Sequence, residues 1–104
     1  MKPKKQNLTL VWENIKIQVL YNPDYSEAHE EIMGWRLAHL EIKSDQKLPM
    51  TETGYRSHFA AASEIESYGT PIDFVKAWLA ETSKRKEWQT YKKLKVQAQQ
   101  LSLF

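Results

Sequence analysis

The 104-residue sequence predicts an α+β domain: a three- or four-stranded antiparallel sheet packed by a C-terminal helix, then a second, basic helix and a short tail. Three observations carry this. Two alternating apolar segments stand two residues apart near the start of the chain. Two further segments alternate later. A Thr-Pro pair opens a run with helical apolar spacing.

Taken in order, Leu8–Trp12 sets Leu8, Leu10 and Trp12 on one face, and Ile15–Tyr21 does the same for Ile15, Ile17, Val19 and Tyr21. The intervening Glu13-Asn14 is the spacing of a tight hairpin, and Asn14 tolerates positive φ. Asn22-Pro23-Asp24 reads as a turn. Ser26 to Met33 fits one or two helical turns capped by Ser26 and closed by Gly34, and fits a mobile loop equally well. Trp35–Lys43 gives a third strand with Ala38, Leu40 and Ile42 inward and Leu37, His39 and Glu41 outward. Residues 44–49 form a loop. In Met50–Phe59, Gly54 marks a turn or bulge, and Tyr55, Ser57 and Phe59 alternate with Arg56 and His58, as in a short fourth strand. A short helix then ends at Gly69. Thr70 is placed as N-cap of the main helix, with Pro71 in its first turn and Asp73 near the positive end of the dipole. Ile72, Val75, Leu79 and Thr82 form its stripe, widened by Phe74 and Trp78. Trp88, Tyr91, Leu94 and Ala98 form a second stripe that emerges on nearly the opposite side. The chain therefore breaks near Thr82–Lys84, or a second helix leaves the body. The organisation expected is a body over 1–83, a basic amphipathic helix over 84–98 and a terminal linear motif over 99–104.

Hydrophobic content of 41% and charged content of 27% suit one globular domain with a modest core. Four Trp, five Tyr and three Phe promise aromatic burial. The absence of cysteine excludes disulfides and thiolate metal sites and fits a reducing cytoplasm. No apolar run approaches the roughly 18 residues of a membrane span, so no membrane partner is expected. The basic MKPKK start leads straight into a strand pattern, unlike a signal peptide. The net charge of +2 hides a segregation: residues 6–83 carry six basic and twelve acidic side chains, leaving both ends basic.

Little of this points to catalysis. Ser57 and His58 are strand neighbours and face opposite ways, so they cannot act as a nucleophile and its base. His39 shares a face with Glu41, which fits an exposed polar ladder. Gly-rich phosphate loops and H-E-x-x-H are missing, and His29, His39 and His58 lie on unrelated segments. No enzyme activity, metal or cofactor is expected. Tyr55, Arg56 and His58 offer a second binding surface for a carboxylate, a phosphate or a partner's backbone. The same segment also fits an internal network in which Glu52 pairs with Arg56. Between Lys84 and Lys95, cations interleave with Trp88 and Tyr91. Lys84, Arg85, Lys92, Lys93 and Lys95 are candidate phosphate contacts for weak DNA binding, although the pattern better describes an ordinary amphipathic helix with its aromatics packed inward.

The last five residues, Gln100-Leu101-Ser102-Leu103-Phe104, resemble the motif by which proteins bind the bacterial DNA polymerase sliding clamp, the β ring. The pattern is Gln, Leu, a small or acidic residue, Leu, Phe, and all five positions agree. The resemblance implies a hydrogen-bonded recess for the Gln100 amide, apolar contact by Leu101, Ser102 as a spacer, and a cleft for Leu103 and Phe104. Such peptides are typically displayed at a chain end, as here. Packing of Leu101, Leu103 and Phe104 back onto the core is the competing expectation. More broadly, LPMTETGYRSHF and FVKAWL resemble segments of small bacterial proteins found with plasmids and integrated elements. The function expected is a non-enzymatic adaptor or competitor at the clamp, with a nucleic-acid accessory protein acting through the basic helix as the alternative.

Overall fold

The computed structural model describes residues 4–101. Its first two strands, Gln6–Trp12 (β1) and Ile15–Asn22 (β2), pair antiparallel with Trp12 opposite Ile15. Glu13 and Asn14 join them with φ of 47° and 65°. Positive φ at both central residues is the two-residue turn whose twist matches the strands. Ser26 Oγ then accepts from the His29 N–H, and Gly34, at φ 82°, closes a helix over Glu27–Met33 (α1). Of the two expectations for this stretch, the capped helix is the one formed, although it buries no residue.

Leu37–Lys43 (β3) pairs with β2, and Tyr55–Ala61 (β4) pairs with β3, giving an antiparallel sheet in the order β1-β2-β3-β4. The α+β class follows from this sheet and the helices on one of its faces. Period-two alternation sends Leu10, Ile17, Val19, Leu40 and Ile42 to that covered face, where they are buried. The opposite face carries Asn7, Lys16, Gln18, His39, Glu41, Tyr55, Ser57 and Phe59, none of them buried.

The covering layer starts with Ala62–Glu66 (α2), which contributes buried Ala62 and Ile65. Pro71–Ser83 (α3) follows. Thr70 Oγ1 accepts from the Asp73 N–H while the Asp73 carboxylate accepts from the Thr70 N–H, a complete capping box. Phe74, Val75, Leu79 and Thr82 of α3 are buried. The layer also has a member that the sequence reading leaves in a loop. Leu48 is fully buried and Met50 nearly so. Thr51 holds them there: its Oγ1 accepts from the N–H groups of Leu48 (2.9 Å) and Gly54 (3.1 Å).

The expected break falls between α3 and the last helix, Lys86–Leu101 (α4). Trp88 is buried against Trp12, their ring centroids 5.9 Å apart, and Tyr91 stacks on Trp88. Only this first part of the second stripe packs. From Lys93 to Gln99 every residue is exposed, Leu94 and Val96 included. The helix also runs past Ala98, so Gln99, Gln100 and Leu101 have helical backbone where the sequence reading begins a tail. Ala98, the glutamines and Leu101 are good helix formers.

Candidate functional site

Arg56 and His58 share a strand parity and turn towards the helices, whereas Tyr55 lies on the other parity. The three residues proposed as one surface are thus divided between the sheet's two faces. Arg56 donates to the Met50 carbonyl at 3.2 Å, and its guanidinium lies 5.4 Å from the centre of the Trp78 ring. It therefore engages Met50 and Trp78 in place of the expected Glu52. A cleft of about 500 Å³ opens beside it, bordered by Thr51, Glu52, Trp78, Thr82 and Arg85. The break after α3 brings Arg85 there, which the sequence reading treats only as part of the basic helix. Two guanidinium groups bordering one cleft, with Glu52 as its acidic member, suit a carboxylate or phosphate. His58 sits deeper, tilted against Trp78 at 4.7 Å and stacked with Phe74 at 6.0 Å. Burial holds its pKa below the ordinary range, and the Arg56 charge adds to the effect.

On the outer face the Tyr55 hydroxyl donates to Glu41 Oε1 at 2.8 Å, and this bond is the chief reason its pKa is raised. His39 Nε2 and Ser57 Oγ lie 2.6 Å apart across β3 and β4. Ser57 thus finds a histidine, but it is His39 from the neighbouring strand. This pairing depends on register, which residue spacing within one strand does not reveal. Glu41, which shares that face with His39, is engaged with Tyr55. Among the described residues, no group of three or more His, Cys, Asp or Glu side chains is placed to hold a metal ion. No helix among them is long and apolar enough to cross a membrane.

The cations of the last helix are unequal. Lys92 Nζ pairs with Glu13 at 3.2 Å, Lys95 Nζ donates to Gln46 at 2.8 Å, and Lys84 approaches Glu81 at 4.0 Å. Lys47 reaches over Tyr91 from the body, 4.6 Å from the ring centre. Lys86 and Lys93 are exposed on the helix. Lys92 and Lys95 therefore brace α4 against the hairpin turn and the loop after β3. Of the clamp-type motif, Ser102, Leu103 and Phe104 lie outside the described residues, as do the side chains of Gln100 and Leu101.

Against this framework of sheet, covering helices and docked Trp88, the sequence model of the KlcB third domain matches residues 5–88. The chain belongs to the KlcB third-domain family. Comparison with curated proteins and with solved structures gives no match. The KlcB third domain spans β1 through the first turn of α4 and stops at the tryptophan that anchors that helix. The rest of α4 and the terminal motif lie beyond it. The Arg56–Arg85 cleft, His39 and Ser57 all fall within the domain.

Proposed function

We propose that this chain is a non-enzymatic adaptor of the bacterial DNA sliding clamp, which it engages through Gln100-Leu101-Ser102-Leu103-Phe104, beyond its KlcB third domain. The observation that carries this reading is the exposure of every residue from Lys93 to Gln99. Anchored at Trp88 and braced by Lys92 and Lys95, α4 has solvent-exposed last turns and leads in sequence into the motif. The molecule is 60 Å in its longest dimension and 23 and 21 Å in the others, an elongation compatible with this reading. Burial of each large apolar side chain of the peptide contributes roughly 1.5–3 kcal/mol. Less the cost of ordering the peptide, this gives an affinity in the micromolar range. The family assignment agrees with the mobile-element resemblance of the body, a setting in which a protein engages the host replication machinery.

An adaptor is favoured over a simple competitor because the folded domain offers surfaces of its own, the arginine cleft among them. The reading of α4 as a phosphate-binding helix has less support, since Lys92 and Lys95 are engaged with the body. The test is a titration of purified β ring with the full chain and with a chain ending at Gln99, folding being checked by circular dichroism. Binding by the full chain and its loss on truncation are expected. Unchanged binding by the truncated chain overturns the proposal.

A further inference from the structure

The uncovered face of the sheet has an organisation that clamp binding does not use. At one end three rings meet. Phe59 stacks on His39 with centroids 4.4 Å apart, and Tyr25 stands edge-on to both, at 5.0 and 5.3 Å. Phe59 and Tyr25 are 48% and 52% exposed, a large apolar loss for rings that could have been buried. Beside this cluster lies a depression of about 340 Å³, large enough for a nucleobase. Its lining includes Asn7, Asn22, Lys5 and Glu41 as well as Tyr25 and His39, so amide groups, a cation and one carboxylate, the latter bonded to the Tyr55 hydroxyl, surround an aromatic wall.

Along the strands the next outward row holds Ser57, Glu41 and Asn7. The row after that holds Tyr55, Lys43, Gln18 and Thr9, and Lys16 follows Gln18 along β2. Rows two residues apart lie about 7 Å from one another, so along the strands Lys43 stands about 14 Å from the ring row and Lys16 about 20 Å. Lys16 and Lys43 border a second shallow depression, in which Asp45 is the acidic member. Stacking rings, hydrogen-bonding amides and cations at a distance are the elements that hold a flexible polyanion with exposed bases. A duplex, its bases already stacked, cannot use such rings.

We infer that this face binds single-stranded nucleic acid, stacking a base on the Phe59–His39–Tyr25 cluster while Lys16, Lys43 and Lys5 meet the phosphates. None of its residues belongs to the terminal motif or to α4, so its test is independent of clamp binding. It supplies the second surface that an adaptor on a DNA-encircling ring would use.

The experiment is a fluorescence anisotropy titration of the full chain with labelled dT15 and with a duplex of equal length, in the absence of clamp and at two salt concentrations. The single strand is expected to bind more tightly than the duplex, and more weakly as salt rises. Phe59→Ala is expected to weaken binding about tenfold, the scale of one lost stacking contact. Lys16→Glu with Lys43→Glu is expected to weaken it and flatten the salt dependence. Amide shift mapping of the unsubstituted chain with dT15 guards against a misfolded variant. Movement at Tyr25, His39, Ser57 and Phe59 supports the assignment. Equal or tighter binding of duplex, unchanged affinity in Phe59→Ala, or shifts confined to α4 overturns it.

Discussion

Single residues fix the loop before β4, and Thr51 shows how. It is 6% exposed, and one hydroxyl oxygen serves two backbone N–H donors that the surrounding apolar packing shields from water. Thr51→Val keeps the shape and deletes the acceptor. An unsatisfied buried donor costs about 1–3 kcal/mol, so a loss of about 2–4 kcal/mol in urea unfolding is expected. Thr51→Ser, which retains the oxygen, should lose much less. A larger loss in Thr51→Ser than in Thr51→Val would mean that the methyl group, not the hydrogen bonds, holds Leu48 in place. Gly54 constrains the same loop sterically. Its φ is 93°, and an added Cβ would stand 2.5 Å from the Ser44 carbonyl oxygen and 2.8 Å from that of Gln46. Both contacts are with backbone and cannot be relieved by a rotamer change. Gly54→Ala is therefore expected to cost at least about 2 kcal/mol, with the fluorescence of nearby Trp78 altered. The sequence marks Gly54 as a turn or bulge, but the carbonyls that make it necessary come from another part of the loop.

At the scale of elements, α4 is held to the domain chiefly by Trp88. The ring is 6% exposed, packs on Trp12 and Tyr91, and carries a buried Nε1–H that has no hydrogen-bond partner among the described residues. Trp88→Ala removes the anchor and is expected to cost about 3 kcal/mol. Hydrogen exchange should then report loss of protection throughout α4 while the sheet and α3 remain protected. Uniform loss of protection would mean that α4 is integral to the core. Trp88→Phe keeps an aromatic contact and removes the unpaired donor, so it should be far milder. Most element boundaries were legible beforehand because each carries local chemistry: the Glu13-Asn14 turn, the Thr70-Pro71-Asp73 cap, and the change of stripe after Thr82. The contribution of Leu48 was not legible, since no local periodicity marks a loop residue that folds into a core. Nor was the His39–Ser57 contact, which requires β3 and β4 in one register. Tyr55 stands on the opposite face of the sheet from Arg56 and His58, because neighbours along a strand alternate faces.

For the whole molecule, the sheet and its helical layer meet at a titratable group. His58 projects from the edge strand β4 between Phe74 and Trp78 of α3, with Arg56 beside it on the same strand. Glu64 of α2 acts in the opposite sense to the burial and the Arg56 charge, and the more distant His39 reinforces them. The net effect lowers the folded pKa below the ordinary value of 6.5. Between these two values the unfolded chain binds more protons than the folded one, so stability rises with pH across that interval. Above about 6.5 His58 is neutral in both states and contributes no slope. Its destabilising contribution sets in as pH falls through 6.5 and is complete below the lowered folded value. Urea midpoints measured from pH 8 to pH 5 should therefore fall on the acid side, before the carboxylates begin to protonate. His58→Phe should remove that part of the slope while retaining the contact with Trp78. An identical pH profile in His58→Phe would assign the acid sensitivity to another group. Because β4 also presents Phe59 and Ser57 on the opposite face, loosening its contact with α3 should disturb the aromatic cluster as well. Affinity for dT15, measured over the same pH range, is therefore expected to fall along with stability in the unsubstituted chain and to fall less in His58→Phe.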